Sequence, residues 1–189
     1  MKHLIEKHIK SESIYKGHLL GVRKDTVKTP GGREAVRDVV EHPGAVAIVA
    51  ITDDQELVFV RQFRQPVGEI VLEIPAGVPK KGEAWLDAAK RELKEETGYR
   101  AGKIRKIFQA YTTPGYSNEV LEYYLAEDLV QLKPHPDEDE YVEVDLIDLE
   151  TCVDMVKNGK INDNKTIIGI MIATMADEVR GNPRLKSGE

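Results

Sequence analysis

Four carboxylates and one guanidinium recur at fixed spacing between Gly77 and Tyr99: Glu83, Arg91, Glu92, Glu95 and Glu96. The stretch reads as a tight loop followed by a helix. Winding Ala84–Thr97 at about 100° per residue places Leu86, Ala89, Leu93 and Thr97 on one stripe, expected to be the buried face. Glu92 and Glu96 are then i,i+4 neighbours about 40° apart on a flank of that stripe. Glu95 falls roughly opposite the buried face, close to Arg91. Like charges at this spacing repel and weaken a helix by a few tenths of a kcal/mol. With Glu83 and Glu95 nearby, the segment concentrates negative charge that a cation would relieve, and carboxylate oxygens suit a hard divalent ion such as Mg²⁺.

The elements that must hold these groups are mostly strands. Gly98 is placed to turn left-handed and stop the helix. Upstream, Thr29-Pro30-Gly31-Gly32 marks a hairpin between Leu20–Lys28 and Glu34–Glu41. That N-terminal region, from Ser11, is poor in large apolar residues and needs a partner surface, either the main domain or a second subunit. His42-Pro43-Gly44 reads as a lobe boundary. Ala45–Thr52 suits a strand buried on both faces, with strands at Glu56–Phe63 and Glu69–Ile74 after it. Strands are expected at Lys103–Tyr111, Glu119–Ala126 and Tyr141–Leu146. A short helix follows at Leu149–Lys157. Asp163 is expected to cap a last helix reaching about Glu178, burying Ile167, Ile168, Ile170, Met171 and Met175. The division is a β lobe at 1–42, a main domain at 43–180 and a frayed tail at 181–189. The pattern indicates α+β architecture rather than a βαβ repeat.

Composition limits the partners. The chain has 189 residues, 41% apolar and 32% charged, with net charge −6. This balance offers no electrostatic footprint for nucleic acid. The longest apolar run, Ala45–Ile51, is too short for a bilayer, and Met1–Lys10 has no signal-peptide core, so a cytoplasmic protein without membrane contact is expected. The single cysteine, Cys152, excludes an internal disulfide and reads as a packing residue.

The stretch resembles the signature of the Nudix hydrolases: Gly77, five residues, Glu83, seven residues, then Arg91-Glu92-Leu93-Lys94-Glu95-Glu96-Thr97-Gly98. Tyr99 departs from the pattern, which has an aliphatic residue there; this bears on packing more than on metal. The resemblance implies an α/β/α sandwich with a mixed sheet, and hydrolysis of a nucleoside diphosphate linked to another group. It implies Glu92 and Glu96 as metal ligands, and Glu95 as a further ligand or outer-shell group. Arg91 and Glu83 would pair to brace the loop, and Ala76 would offer a backbone carbonyl to metal. Two or more Mg²⁺, with Mn²⁺ as a substitute, would polarise the phosphoryl group and generate hydroxide.

Within the family, a proline sixteen residues beyond the motif glycine (114 − 98) resembles the ADP-ribose pyrophosphatases, and Pro114 stands there. Glu41–Val46, Arg61–Pro66, Leu72–Gly77 and Asp137–Tyr141 look like segments of the same subfamily. By this resemblance Arg64 contacts the substrate diphosphate and Arg37 lies near the adenosine end. Glu73 and Glu119 match acidic positions around the terminal ribose and metals. Each arginine has a surface ion pair as its plainer reading, and Pro114 a simple turn. In the acidic loop Lys133–Glu140, Glu138 is chosen as general base and Glu140 as an extra metal ligand, with the two roles exchangeable. The expected reaction converts ADP-ribose and water to AMP and ribose 5-phosphate. The alternatives are GDP-mannose or a UDP-sugar as substrate, and more distantly a non-catalytic ADP-ribose sensor, although every signature acid is present. The weak N-terminal lobe leads to the expectation of a homodimer.

Overall fold

A nearly unbroken apolar run, Ala45–Ala50, forms a strand (β4) buried at every position, and the layers assemble around it. The computed structural model describes residues 2–132 and 141–181. The expected acidic loop, with Glu138 and Glu140, and the expected tail after Gly181 lie outside the described residues. Contacts divide the chain into two units, Met1–Ala45 with Gln109–Leu121, and Val46–Phe108 with Glu122 onward.

In the first unit, a single 3₁₀ turn (Lys2–Leu4) precedes three antiparallel strands, β1 (Lys7–Lys16), β2 (Gly21–Lys28) and β3 (Glu34–Glu41). Strands β2 and β3 pair from Gly21↔Glu41 to Lys28↔Glu34, closing on the Thr29–Gly32 turn, where the Gly32 amide donates to the Thr29 carbonyl at 2.9 Å. Strand β1 is exposed along its whole length.

The second unit contains β5 (Glu56–Arg64), β6 (Glu69–Glu73), the two-residue β7 (Ala76–Gly77) and helix α1 (Trp85–Thr97). It also holds most of two long strands, β8 (Tyr99–Tyr111) and β9 (Val120–Gln131), whose tip belongs to the first unit, then β10 (Glu143–Asp148), α2 (Leu149–Lys157) and α3 (Asn164–Gly181). One sheet runs β7-β4-β9-β8 and another β10-β5-β6. Alternate residues of β4 explain its complete burial. Val46, Ile48 and Ala50 join Ala88, Ala89 and Leu93 of α1 in one core cluster with Val58, Tyr124 and Ala126. Val49, on the other face, lies against α3: a Cβ on Gly169 would come within 3.3 Å of it and 2.9 Å of Ile74. With helices on both faces, a continuous apolar strand is what the site demands. The result is the expected α/β/α sandwich with a mixed sheet.

Three local expectations are corrected. Leu86 is 37% exposed, and α1 instead buries Ala88, Ala89, Glu92, Leu93, Glu96 and Thr97. Trp85 packs on the core where Leu86 was expected. The buried arc therefore includes the two carboxylates that helical winding placed on its flank. In α3, Met171 and Met175 are 59% and 64% exposed. The helix docks through Thr166, Gly169, Ile170 and Ala173, an i, i+3, i+4, i+7 edge on which three small residues around Ile170 permit close approach. Strand β10 begins at Glu143, and Tyr141 is exposed. Other boundaries follow local chemistry. Gly98 (φ +73) donates its amide to the Lys94 carbonyl at 3.0 Å, and the Asp148 carboxylate caps α2 through the Thr151 amide at 2.8 Å. Cys152 is fully buried, and burial pushes its thiol up to about 12. Among the described residues no helix is long and apolar enough to cross a membrane.

Candidate active site

Arg91 holds the loop before α1 in place. Its Nε donates to Glu83 Oε1 at 2.8 Å and its Nη2 to Glu83 Oε2 at 2.9 Å, a two-point fork that sets distance and plane together. Nη1 reaches Glu92 at 2.7 Å and Glu95 at 2.8 Å. Glu83 also closes its own turn, accepting from the Lys80 amide at 2.7 Å. The Arg91 hydrogen bond, then the Lys80 amide, hold the Glu83 carboxyl down to about 2. The Arg91 guanidinium is correspondingly raised, first by Glu83 and against its own burial. One arginine thus ties three acids of the signature into a fixed frame.

Opposite this frame runs the strip Glu73–Gly77. The Ala76 amide donates to Glu96 Oε2 at 3.1 Å, and the Ile48 amide to the Pro75 carbonyl at 2.8 Å. Gly77 has no room for a side chain, because a Cβ there would lie 2.0 Å from Glu92 Cδ and 2.1 Å from Oε1. Glycine is what lets the strip close on the helix. Glu92 and Glu96 are 6% and 2% exposed. Two buried carboxylates one helical turn apart, beside a bare backbone, fit a hard divalent cation that takes oxygen ligands. Among the described residues no set of three Asp, Glu, His or Cys side chains gathers into a metal cage.

At the start of the strip, Glu73 is 2% exposed and takes Arg64 in a fork, at 2.7 Å from Nε and 2.6 Å from Nη2. Lys165 Nζ meets the same carboxylate at 2.5 Å. Burial works to raise the Glu73 carboxyl, and the two cations more than offset it, leaving it below its ordinary value. Arg64, Glu69, Glu73 and Asn162–Lys165 line a cavity of about 660 Å³.

The structure brings Arg64, Glu73, Ala76, Glu83, Arg91, Glu92, Glu95 and Glu96 together in the second unit. Arg37, Pro114 and Glu119 belong to the first. There Arg37 forks onto Glu6, at 2.5 Å from Nη2 and 3.2 Å from Nε, on an exposed surface. Pro114 sits in a turn closed by the Thr113 carbonyl, which accepts from Tyr116 and Ser117. Glu119 accepts from the Thr112 hydroxyl at 2.7 Å and lies 3.5 Å from His42 Nδ1. Sequence reasoning missed Lys165. The signal available was only its position two residues after the α3 cap, and nothing in that spacing tells that a residue 92 positions earlier awaits it.

Comparison with known proteins follows the same outline. A family model described as the NUDIX domain matches residues 41–167. An ADP-ribose pyrophosphatase from Bacillus subtilis (strain 168) is 41% identical over 182 residues, covering 95% of this chain and 98% of that protein. A methanol dehydrogenase activator from Bacillus methanolicus is 36% identical, covering 93% of this chain and 96% of its own length. A crystal structure of an ADP compounds hydrolase superposes with a TM-score of 0.80 over 95% of this chain and 96% of that one, at 22% identity.

Proposed function

The chain belongs to the Nudix hydrolase family, and on that premise we propose that it hydrolyses the diphosphate bond of ADP-ribose, giving AMP and ribose 5-phosphate with Mg²⁺. The observation that carries the metal centre is the closure of the Ala76–Gly77 strip onto Glu92 and Glu96. The relative named an ADP-ribose pyrophosphatase, alike over nearly the whole length, supports the substrate.

Glu92, Glu96 and the Ala76 carbonyl would hold the metal, with Glu140 an added ligand in this reading and Mn²⁺ an acceptable substitute. Bound divalent ions supply Lewis-acid polarisation of the phosphoryl oxygens and lower the pKa of bound water. The protein's own share is positioning. Arg91 fixes Glu83, Glu92 and Glu95 relative to one another, so the ligands need little reorganisation. Arg64 gives one N–H each of Nε and Nη2 to Glu73, and its other N–H groups are assigned to a phosphate oxygen. Glu138 takes the role of base that orients or deprotonates the attacking water, with Glu140 the alternative. Arg37, Pro114 and Glu119 are assigned to the adenosine and ribose ends.

The lobe at 1–42 is proposed to make a homodimer with a second copy. Exposed apolar side chains on its sheet support this, with Ile9, Ile14 and Tyr15 at 46%, 56% and 59% exposure. A monomeric mass by light scattering at micromolar concentration would refute it.

The test of the reaction is a panel with Mg²⁺: ADP-ribose, GDP-mannose, UDP-glucose and a nucleoside triphosphate, with products separated and identified. ADP-ribose is expected to turn over fastest. Faster GDP-mannose or UDP-glucose hydrolysis would reassign the substrate, and no turnover of any nucleoside diphosphate derivative would refute the enzymatic reading.

A further inference from the structure

Helix α3 does more than cover the sheet. Its first turn grips two consecutive residues of the strip that leads into the proposed metal centre. The Ile74 amide donates to the Thr166 hydroxyl at 2.9 Å. That hydroxyl donates its own hydrogen to Asp163 Oδ2 at 2.6 Å, so its lone pairs are left to accept from Ile74. Asp163 Oδ2 also takes the Thr166 amide and Lys165 Nζ, both at 3.0 Å. Lys165 in turn meets Glu73, the neighbour of Ile74. Thr166 and Ile74 are both fully buried. The same helix presses Gly169 against the Ile74 side chain, where a Cβ would fall 2.9 Å from Cδ1.

Two residues beyond Ile74 stands Ala76, whose amide meets Glu96 and whose carbonyl is a proposed metal donor. Ile74 has few ways to shift without carrying Ala76 along, since Pro75 is a rigid link whose carbonyl is itself held by Ile48. We infer that Asp163, Lys165 and Thr166 form a positioning cluster for the metal centre, acting on Ala76 and Glu96 through the backbone of Glu73–Pro75. In this inference the cluster acts through that backbone and supplies no metal ligand. The inference rests on the metal site proposed above, and it adds two residues of the distant helix α3 and the aspartate that caps it to the signature as part of that site's construction.

The test uses Mn²⁺ binding to the full chain, read by the loss of the free-ion electron paramagnetic resonance signal, alongside circular dichroism. Thr166→Val keeps the shape and removes both hydroxyl hydrogen bonds. It is expected to raise the half-saturating Mn²⁺ concentration about tenfold, the low end for loss of a partner outside the ligand set. Thr166→Ser retains the hydroxyl and should restore binding to within about twofold of wild type. Lys165→Met breaks the contacts to Glu73 and Asp163 while leaving the Thr166 hydroxyl in place, should also weaken Mn²⁺ binding, and serves if Thr166→Val does not fold. Wild-type Mn²⁺ affinity in a folded Thr166→Val or Lys165→Met chain overturns the inference, as does a serine variant as weak as the valine one. Mn²⁺ binding that responds to these substitutions in a chain that hydrolyses none of the panel refutes the enzymatic reading and leaves the cluster standing. Full turnover with unshifted affinities does the reverse, and a wild-type chain that binds no Mn²⁺ overturns both.

Discussion

Gly77→Ala is the sharpest single perturbation of the proposed centre. The new methyl carbon would lie 2.0 Å from Glu92 Cδ, where ordinary contact begins near 3.4 Å, so one of the two must move by about 1.4 Å (3.4 − 2.0). The strip is held by the Ile48–Pro75 and Ala76–Glu96 hydrogen bonds, whereas the Glu92 side chain can swing about its Cα–Cβ and Cβ–Cγ bonds at the expense of its Arg91 contact. Most of the displacement therefore falls on Glu92. Swinging a flexible side-chain end is inexpensive compared with distorting backbone, so the stability loss belongs at the low end of overpacking, about 1–2 kcal/mol, or roughly 3–6 °C in Tm for a chain of this size. Activity should suffer far more. A ligand misplaced by about 1 Å can cost on the order of 10²-fold in rate. The assay is kcat for ADP-ribose over a Mg²⁺ titration, with thermal denaturation of the same samples. A shifted Mg²⁺ midpoint and a kcat lowered about 10²-fold in a protein still folded at 25 °C are expected. Wild-type kcat at the wild-type Mg²⁺ midpoint would refute the claim that the Gly77–Glu92 approach builds the metal site.

Three further outcomes can be checked. Glu83→Gln should destabilise the protein by about 1–2 kcal/mol at pH 7 through loss of charged hydrogen bonds to Arg91. Because the Glu83 carboxyl is held below its ordinary 4.5 to about 2, that stabilisation is present above pH 4.5 and lost as pH falls toward 2. The Tm gap between variant and wild type should therefore narrow across that window, and a constant gap would contradict the assignment. Cys152, fully buried and with its thiol raised to about 12, should resist an aromatic disulfide reagent at pH 8 until denaturant is added; labelling of native protein at the rate of a free thiol would contradict this. Glu138→Gln should lower kcat about 10²–10⁴-fold with Mn²⁺ affinity nearly unchanged, and the same result from Glu140→Gln instead would exchange their roles.

Local chemistry was legible wherever one residue type decides the backbone. Gly98 at the end of α1, the Thr29–Gly32 turn and the Asp163 cap of the last helix fall in this class. So was the signature frame, since Glu83 and Arg91 pair as the family resemblance implied. Burial of charge was not legible. Helical winding assigns a buried face by hydrophobicity, and so favours Leu86 over Glu92 and Glu96. Tertiary partners decide otherwise: Arg91 and the Ala76 amide satisfy the carboxylates, while Trp85 fills the apolar slot. The outward Met171 and Met175 have the same origin, because close docking rewards Gly169 and Ala173 over larger side chains. The contacts of Lys165 and Thr166 span 92 residues, and no window of sequence contains both ends.

That span has a consequence for how the chain matures. The Ala76–Glu96 hydrogen bond joins residues 20 apart and can form as soon as α1 winds. The Ile74 amide receives its acceptor from a residue 92 positions later, on the last helix. During synthesis from the N-terminus, the signature helix and its sheet are made while this buried amide still lacks its partner. Closing the larger loop costs more entropy and comes after the local contacts. A chain emerging from the ribosome should thus carry an incomplete strip until Thr166 and the helix it opens have been made, so competence at the proposed metal site waits on a contact 92 residues downstream.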